Sequence, residues 1–216
     1  EYSIQNARFL MQCGAKIIVV ACNTSSAVAL DELSRNVSLP VIGVIDPGAI
    51  AALEATQSGR IGIIGTEGTI RSNAYADAIA TLDNSAQVFS AACPLFVSLA
   101  EEGWEEHPVT ELVIKEYLSP LLAKNIDTLV LGCTHYPILK KAIQNFVGDQ
   151  ITLVDSAQAI AERMQGILVE KETTGEGREI FYVSDNEEKF KTISSRILDK
   201  EVSSLVNVKL GESWYI

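Results

Sequence analysis

Ile17-Ile18-Val19-Val20-Ala21-Cys22-Asn23-Thr24 is the stretch on which the fold turns. Five apolar residues, four of them β-branched, read as a strand buried on both faces, over 17–21. The strand ends in a cysteine, and Thr24, Ser25 and Ser26 each offer a hydroxyl for the N-cap of a following helix. A thiol at that place faces unpaired backbone N–H groups and the positive end of a helix dipole, which favours the thiolate. The device recurs at Thr128-Leu129-Val130-Leu131-Gly132-Cys133-Thr134-His135-Tyr136-Pro137. A second apolar strand delivers a second cysteine, again followed by threonine and a helix start. Two thiols presented alike by two βα units point to one cleft with a reactive sulfur on each side.

Outward from these turns the chain alternates strand and helix. Ile4, Ala7, Leu10 and Met11 share a helical face, and Gly14 is placed to end that helix. Strands are expected over 40–45, 60–64, 87–90, 152–154, 179–184 and 205–208, besides 17–21 and 128–131. Helices are expected over 27–34, 48–57, 70–82, 108–122, 137–146, 157–169 and 186–198, and a short apolar segment over 94–101. Asp46-Pro47 reads as an N-cap with proline in the first helical position, and the Gly- and Thr-containing run 171–178 as a surface loop. Continuous apolar strands alternating with helices mean α/β with parallel sheets flanked by helices. The duplicated turn divides the chain into two similar lobes. The first is expected to hold residues 1–44 with 160–216, the second 45–159, with the active site in the cleft and 41–46 crossing between them. In such folds ligands bind beyond the carboxyl ends of the strands, where both cysteines lie.

Composition narrows the partners. A net charge of −11 argues against nucleic acid and against an anionic membrane surface. The apolar runs are strand-sized, well short of a membrane span. Four cysteines without CxxC spacing, Cys13, Cys22, Cys93 and Cys133, fit a reducing cytoplasm. Cys13 and Cys93 read as small buried hydrophobes.

Three chemistries compete for the remaining thiols. A zinc site finds too few ligands, since Cys133-x-His135 stands without closely spaced partners, so no metal is expected. A cysteine hydrolase would use Cys133 with His135 but leaves Cys22 idle. Acid–base chemistry on a carbon centre that exchanges a proton between its two faces uses both thiols, one as base and one as acid. Gly62, Gly65 and Gly68 give GxxGxxG instead of the dinucleotide pattern GxGxxG, so no cofactor is expected. Asn23, Thr24, Thr134 and His135 flank the thiols with groups suited to a zwitterionic ligand, and the turn at 65–69 offers Thr66 and Thr69 near a helix start. Each of these also has a plain role as a helix cap or a solvated end.

Val20-Ala21-Cys22-Asn23-Thr24-Ser25-Ser26-Ala27, Gly65-Thr66-Glu67-Gly68-Thr69-Ile70, Pro94-Leu95-Phe96-Val97 with Glu101-Glu102-Gly103, and Leu131-Gly132-Cys133-Thr134-His135-Tyr136-Pro137 resemble, in order, the motifs of the glutamate racemases. The resemblance implies interconversion of L- and D-glutamate without pyridoxal phosphate, in the bacterial cytoplasm, supplying D-glutamate for peptidoglycan. It implies Cys22 and Cys133 as the acid/base thiols, with His135 assisting. Asn23, Thr24, Thr134 and His135 would hold the substrate, with Thr66, Thr69 and Glu101 as further pocket residues. It also implies a homodimer. Family members begin with a strand ending in Asp-Ser-Gly and a later Tyr-Gly motif, together about fifty residues, none of which occurs here. Because the sequence starts at Glu1 without methionine, the expectation is that an upstream segment has been removed, and with it the aspartate that partners the first cysteine. Residues 1–216 alone would then turn over negligibly. A binding protein that kept the pocket without catalysis is the competing class, and paired thiols argue against it.

Overall fold

A computed structural model describes residues 1–169, 177–198 and 200–210. The chain opens with α1 (Tyr2–Gln12), then β1 (Ile18–Val20), α2 (Asn23–Asn36) and β2 (Val41–Gly43), a βαβ unit in which Ile18 pairs with Val41 and Val20 with Gly43. There follow α3 (Ile45–Ala55), β3 (Arg60–Gly65), α4 (Glu67–Arg71), α5 (Ala74–Leu82), β4 (Gln87–Ala92), α6 (Leu95–Glu102), α7 (Pro108–Leu122) and β5 (Thr128–Gly132). A 3₁₀ turn at Tyr136–Leu139 leads into α8 (Lys140–Val147) and β6 (Thr152–Asp155). The described chain closes with α9 (Ser156–Val169), β7 (Phe181–Val183), α10 (Glu187–Leu198) and β8 (Leu205–Asn207).

All described strand pairs are parallel. The main sheet has the order β4-β3-β5-β6, and two-stranded sheets β1-β2 and β7-β8 accompany it. Side-chain alternation divides the main sheet's residues between two apolar layers. Ile61, Ile63 and Val130 join Ile45, Ala49, Tyr75 and Ile79 on one face. Ile64, Leu129 and Leu131 join Phe96, Ile114, Leu118 and Ile143 on the other. A smaller cluster of Ala7, Ile18, Leu33 and Val37 holds α1, β1 and α2 together. Phe9 meets Tyr182 of β7 edge to face, with centroids 4.9 Å apart, which ties the β7-β8 sheet to α1. The molecule is α/β in two lobes, with parallel sheets flanked by helices, as the sequence predicts.

Several boundaries differ for local reasons. The single helix expected over 70–82 is two, because Asn73 takes the left-handed conformation at φ 62° and turns the chain between α4 and α5. α3 starts at Ile45, so Asp46 and Pro47 lie inside its first turn and Val44 holds the cap position. The helix expected from 137 begins as a 3₁₀ turn. Cys13, expected to be buried, is exposed just past α1, whereas Cys93 is fully buried. Most of the loop expected over 171–178 lies outside the described residues.

Gly132 explains how β5 can carry a cysteine at its end. A Cβ there would stand 2.6 Å from the carbonyl oxygen of Ile64 on β3, so only glycine permits this strand approach. Gly65 and Gly132 are register partners at the carboxyl ends of β3 and β5, and the next residues of both strands enter the site.

Candidate active site

Cys22 is itself the N-cap of α2, with φ −69° and ψ 120°, and its Sγ accepts from the backbone N–H of Ser25 at 3.5 Å. The sequence reading gave that role to Thr24, Ser25 or Ser26. The hydroxyls of Thr24 and Ser26 have other partners. Ser26 donates to the carbonyl of Val20 at 2.7 Å and accepts from the N–H of Val44 at 3.3 Å, joining the end of β1 to the start of α3. Thr24 turns toward the other lobe. Cys22 is exposed and stands at the positive end of a fourteen-residue helix.

Thr24 Oγ1 lies 2.7 Å from Thr66 Oγ1 and 3.0 Å from Thr69 Oγ1, and the latter two are 3.1 Å apart. Three predicted site residues thus form one hydroxyl cluster where the starts of α2 and α4 meet. Thr66 is the N-cap of α4, accepting from the N–H of Thr69.

Asn23 is buried, and its amide is engaged at both ends. Tyr75 donates its hydroxyl to Oδ1 at 2.6 Å, and Nδ2 donates to Ser156 Oγ at 3.2 Å. Ser156 in turn reaches the carbonyl of Leu131 at 3.4 Å, one strand end away from Cys133. Burial pushes the Tyr75 phenol well above its ordinary value, so it stays a neutral donor. Sequence reasoning missed Tyr75 and Ser156. Tyr75 reads as a core aromatic on α5, and Ser156 gave only a capping signal beside Asp155.

Cys133 presents the opposite environment from Cys22. It is 7% exposed, and burial pushes its thiol up from the ordinary value, against the expectation of a lowered one. The N–H groups of His135 and Tyr136 and the hydroxyl of Thr134 face the sulfur and work the other way, favouring the thiolate. Negative charge on Cys22 is a further cause that raises Cys133.

His135 Nδ1 lies 3.9 Å from Cys133 Sγ, and its Nε2 is 3.2 Å from Glu101 Oε1. The carboxylate accepts the Nε2 proton, and Nδ1 is the ring nitrogen turned toward the sulfur. Glu101, expected as a pocket residue, stands behind the imidazole on the side away from Cys133. Its second oxygen accepts from Lys189 Nζ at 2.7 Å; that bond leads the causes holding its carboxyl below the usual range. Among the described residues no group of three or more His, Cys, Asp or Glu is gathered as a metal site would need. No described helix is long and apolar enough to cross a membrane.

The family model for Asp/Glu/Hydantoin racemase matches residues 4–164, which include every predicted site residue. The chain belongs to the Asp/Glu/hydantoin racemase family. It is an isomerase of the racemase kind. Its similarity to the glutamate racemase of Geobacter metallireducens is 46% identity, over 97% of this chain and 79% of that protein. A crystal structure of a glutamate racemase isoform from Bacillus anthracis superposes with a TM-score of 0.91 at 38% identity, covering 97% of this chain and 79% of that one. The glutamate racemase of Francisella tularensis, solved in complex with D-glutamate, gives 0.89 at 38% identity, over 98% and 80% of the two chains. An aspartate racemase homologue from Pyrococcus horikoshii, 20% identical, shares the racemase fold at 0.55.

Proposed function

We propose that this racemase interconverts L- and D-glutamate without a cofactor, by two-base proton transfer between Cys22 and Cys133. One thiolate takes the Cα proton and leaves a carbanion delocalised into the substrate carboxylate. The opposite thiol then donates its proton to the other face, so the Cα–H bond broken on one side is remade on the other. The direction of turnover decides which sulfur starts as the thiolate. A positioned acid–base pair of this kind contributes on the order of 10²–10⁴-fold per group.

The observation that carries this reading is geometric: Cys22 stands exposed at the start of α2, and Cys133 lies buried beyond β5 with His135 Nδ1 3.9 Å from its sulfur. Like charges at neighbouring sites resist ionising together, and burial first, then negative charge on Cys22, push the Cys133 thiol up. Opposite protonation states are what a two-base racemase needs at the start of each turnover. Cys22 caps the N-terminus of α2, where the positive end of the helix dipole faces its sulfur. Cys133, being buried, needs help, and His135 Nδ1 is oriented to take its proton. By resemblance Cys133 serves the L-glutamate face.

Thr24, Thr66 and Thr69 offer hydroxyls, and Asn23 and Thr134 flank the two sulfurs, so these five would hold the substrate's carboxylates and ammonium. Glutamate is supported as substrate by the relatives, among them the Francisella tularensis enzyme with D-glutamate bound. The same resemblance supports supply of D-glutamate to peptidoglycan, a homodimer, and a cytoplasmic site, the last fitting four free cysteines. We keep residues 1–44 with 160–216 as one lobe and 45–159 as the other; the 159/160 boundary falls within α9, which packs against α3, β5 and β6.

The test is the chirality of glutamate after incubation with the protein, run in deuterated water. Product formed early from either enantiomer should carry deuterium at Cα while recovered substrate carries little. Deuterium build-up in the starting enantiomer ahead of racemisation would point instead to a single exchanging base.

A further inference from the structure

α6 ends badly by the rules of helix electrostatics. Its last two residues are Glu101 and Glu102, its last turn has no basic residue, and carboxylates at a helix carboxyl end meet its negative pole. The missing cations come from another helix. Lys189 and Arg196 of α10 lie seven residues apart, hence on one helical face, and both reach this end of α6. Lys189 Nζ is 2.7 Å from Glu101 Oε2, and Arg196 Nη1 donates to the carbonyl of Ala100 at 3.3 Å.

The fit of Arg196 depends on Gly103. This residue ends α6 in the left-handed conformation at φ 73°, and a Cβ there would stand 2.6 Å from Arg196 Nη1. Arg196 also lines a cavity of about 330 Å³ together with Thr134, so α10 runs along the edge of the Cys133 side. Nothing comparable joins α10 to Cys22 among the described contacts.

We propose that Lys189, seated with Arg196 on the end of α6, is a positioning residue for proton transfer on the Cys133 face. The inference rests on the two-thiol reading above. Glu101 divides its carboxylate, Oε2 to Lys189 and Oε1 to the His135 imidazole. With Oε2 held, Oε1 has one direction left, and the imidazole keeps Nδ1 toward Cys133. Without Lys189, Glu101 follows solvent, and the imidazole loses the acceptor that sets its tautomer and angle. Lys189 is largely exposed, so its ion pair adds little to stability. What it supplies is orientation. The family model ends at residue 164, before α10, so this support comes from a segment outside that match.

The test uses Lys189→Met and Lys189→Arg in the full-length protein, with thermal melts showing that both fold as the parent does. Deuterium isotope effects on kcat/KM are measured from each α-deuterated glutamate enantiomer. Lys189→Met should lower kcat by on the order of 10- to 100-fold with KM little changed, as expected for a small misplacement of a catalytic group. The isotope effect should rise for the enantiomer whose proton Cys133 removes and fall for the other, because only one of the two transition states has become harder. Lys189→Arg should restore both values, since it keeps a cation within reach of Oε2. Isotope effects that move together, or a methionine variant as fast as the parent, would overturn the inference. A parent protein that does not racemise glutamate would overturn the two-thiol reading and this one with it.

Discussion

The Tyr75 hydroxyl donates to Asn23 Oδ1 at 2.6 Å, across fifty-two positions of sequence and between α5 and α2. Asn23 is the residue after Cys22, and its other amide end is held by Ser156, which follows β6. The reactive turn of one lobe is thus fastened to the other by a buried polar chain that never touches a thiol. An unmade bond here leaves the Asn23 oxygen buried and without a donor, which costs about 1–3 kcal/mol. Tyr75→Phe should lower the unfolding free energy by that amount, read as a lower urea midpoint at unchanged slope, and raise KM because the α2 start loses its seat. A variant whose midpoint and KM match the parent's would mean the bond contributes nothing in solution.

The four thiols should separate by access. Cys13 and Cys22 are exposed, Cys133 is 7% exposed, and Cys93 is fully buried with its thiol pushed up to about 12. A disulfide-exchange reagent at pH 8 should label Cys13 and Cys22 first and Cys133 more slowly. Cys93 should react only after denaturation. Saturation with glutamate should protect Cys22 but leave Cys13 unaffected. Equal labelling of all four in the folded protein would contradict the burial order.

Single-thiol variants should break racemisation without ending exchange on both faces. Cys22→Ala and Cys133→Ala each remove one of the two proposed proton carriers, so interconversion should fall by at least roughly 10³-fold. Each remaining sulfur should still exchange the α-hydrogen of one enantiomer, and a different one in the two variants. Proton NMR in deuterated water reads this directly. His135→Asn, which keeps Cys133 but removes the nitrogen facing it, should resemble a weaker form of Cys133→Ala. Loss of exchange from both enantiomers in either cysteine variant would argue for a shared base.

Asp127 controls acid stability from the opposite end of the sheet. Its carboxylate accepts from Thr56 Oγ1 at 2.5 Å, Gln57 N–H at 2.8 Å and Ser58 N–H at 2.6 Å, binding the turn after α3 to the start of β5. Burial works to raise its carboxyl, but these donors outweigh it and hold the group well below the usual carboxylate range. The folded pKa is below the unfolded one of about 3.9, so the contribution is complete above that pH and is lost as pH falls toward the folded value. Asp127→Asn should cost about 1–3 kcal/mol at pH 7. The gap between variant and parent, followed by urea midpoint, should narrow steadily below pH 4. A gap that stays constant from pH 7 to pH 3 would show that charge on Asp127 is irrelevant.

What the sequence determined by itself was the alternation. Runs such as Ile18–Val20 and Leu129–Leu131 are apolar on every residue, the pattern of a parallel strand in an α/β sheet; Leu129–Leu131 is buried throughout, whereas Val19 of β1 stays exposed. The cysteine with a threonine close behind it beyond each run, Cys22-Asn23-Thr24 and Cys133-Thr134, follows from the same local rule, since strand ends and helix starts are where α/β proteins expose chemistry. Helix breaks were less legible: Asn73 gives no pattern that forces a left-handed turn until α4 and α5 pack against different partners.

Tertiary structure alone decided how the two turns differ. In sequence Cys22 and Cys133 look equivalent, yet one is exposed at a helix start and the other is sunk beneath His135, Thr134 and Tyr136. Burial depends on what the rest of the chain lays over a residue, and no local pattern carries that. The same holds for Glu101, which reads as a solvated helix end until Lys189, eighty-eight positions away, and His135 take one oxygen each. Periodicity reports which face of an element is buried, whereas long-range polar partners are chosen only when the lobes close on one another.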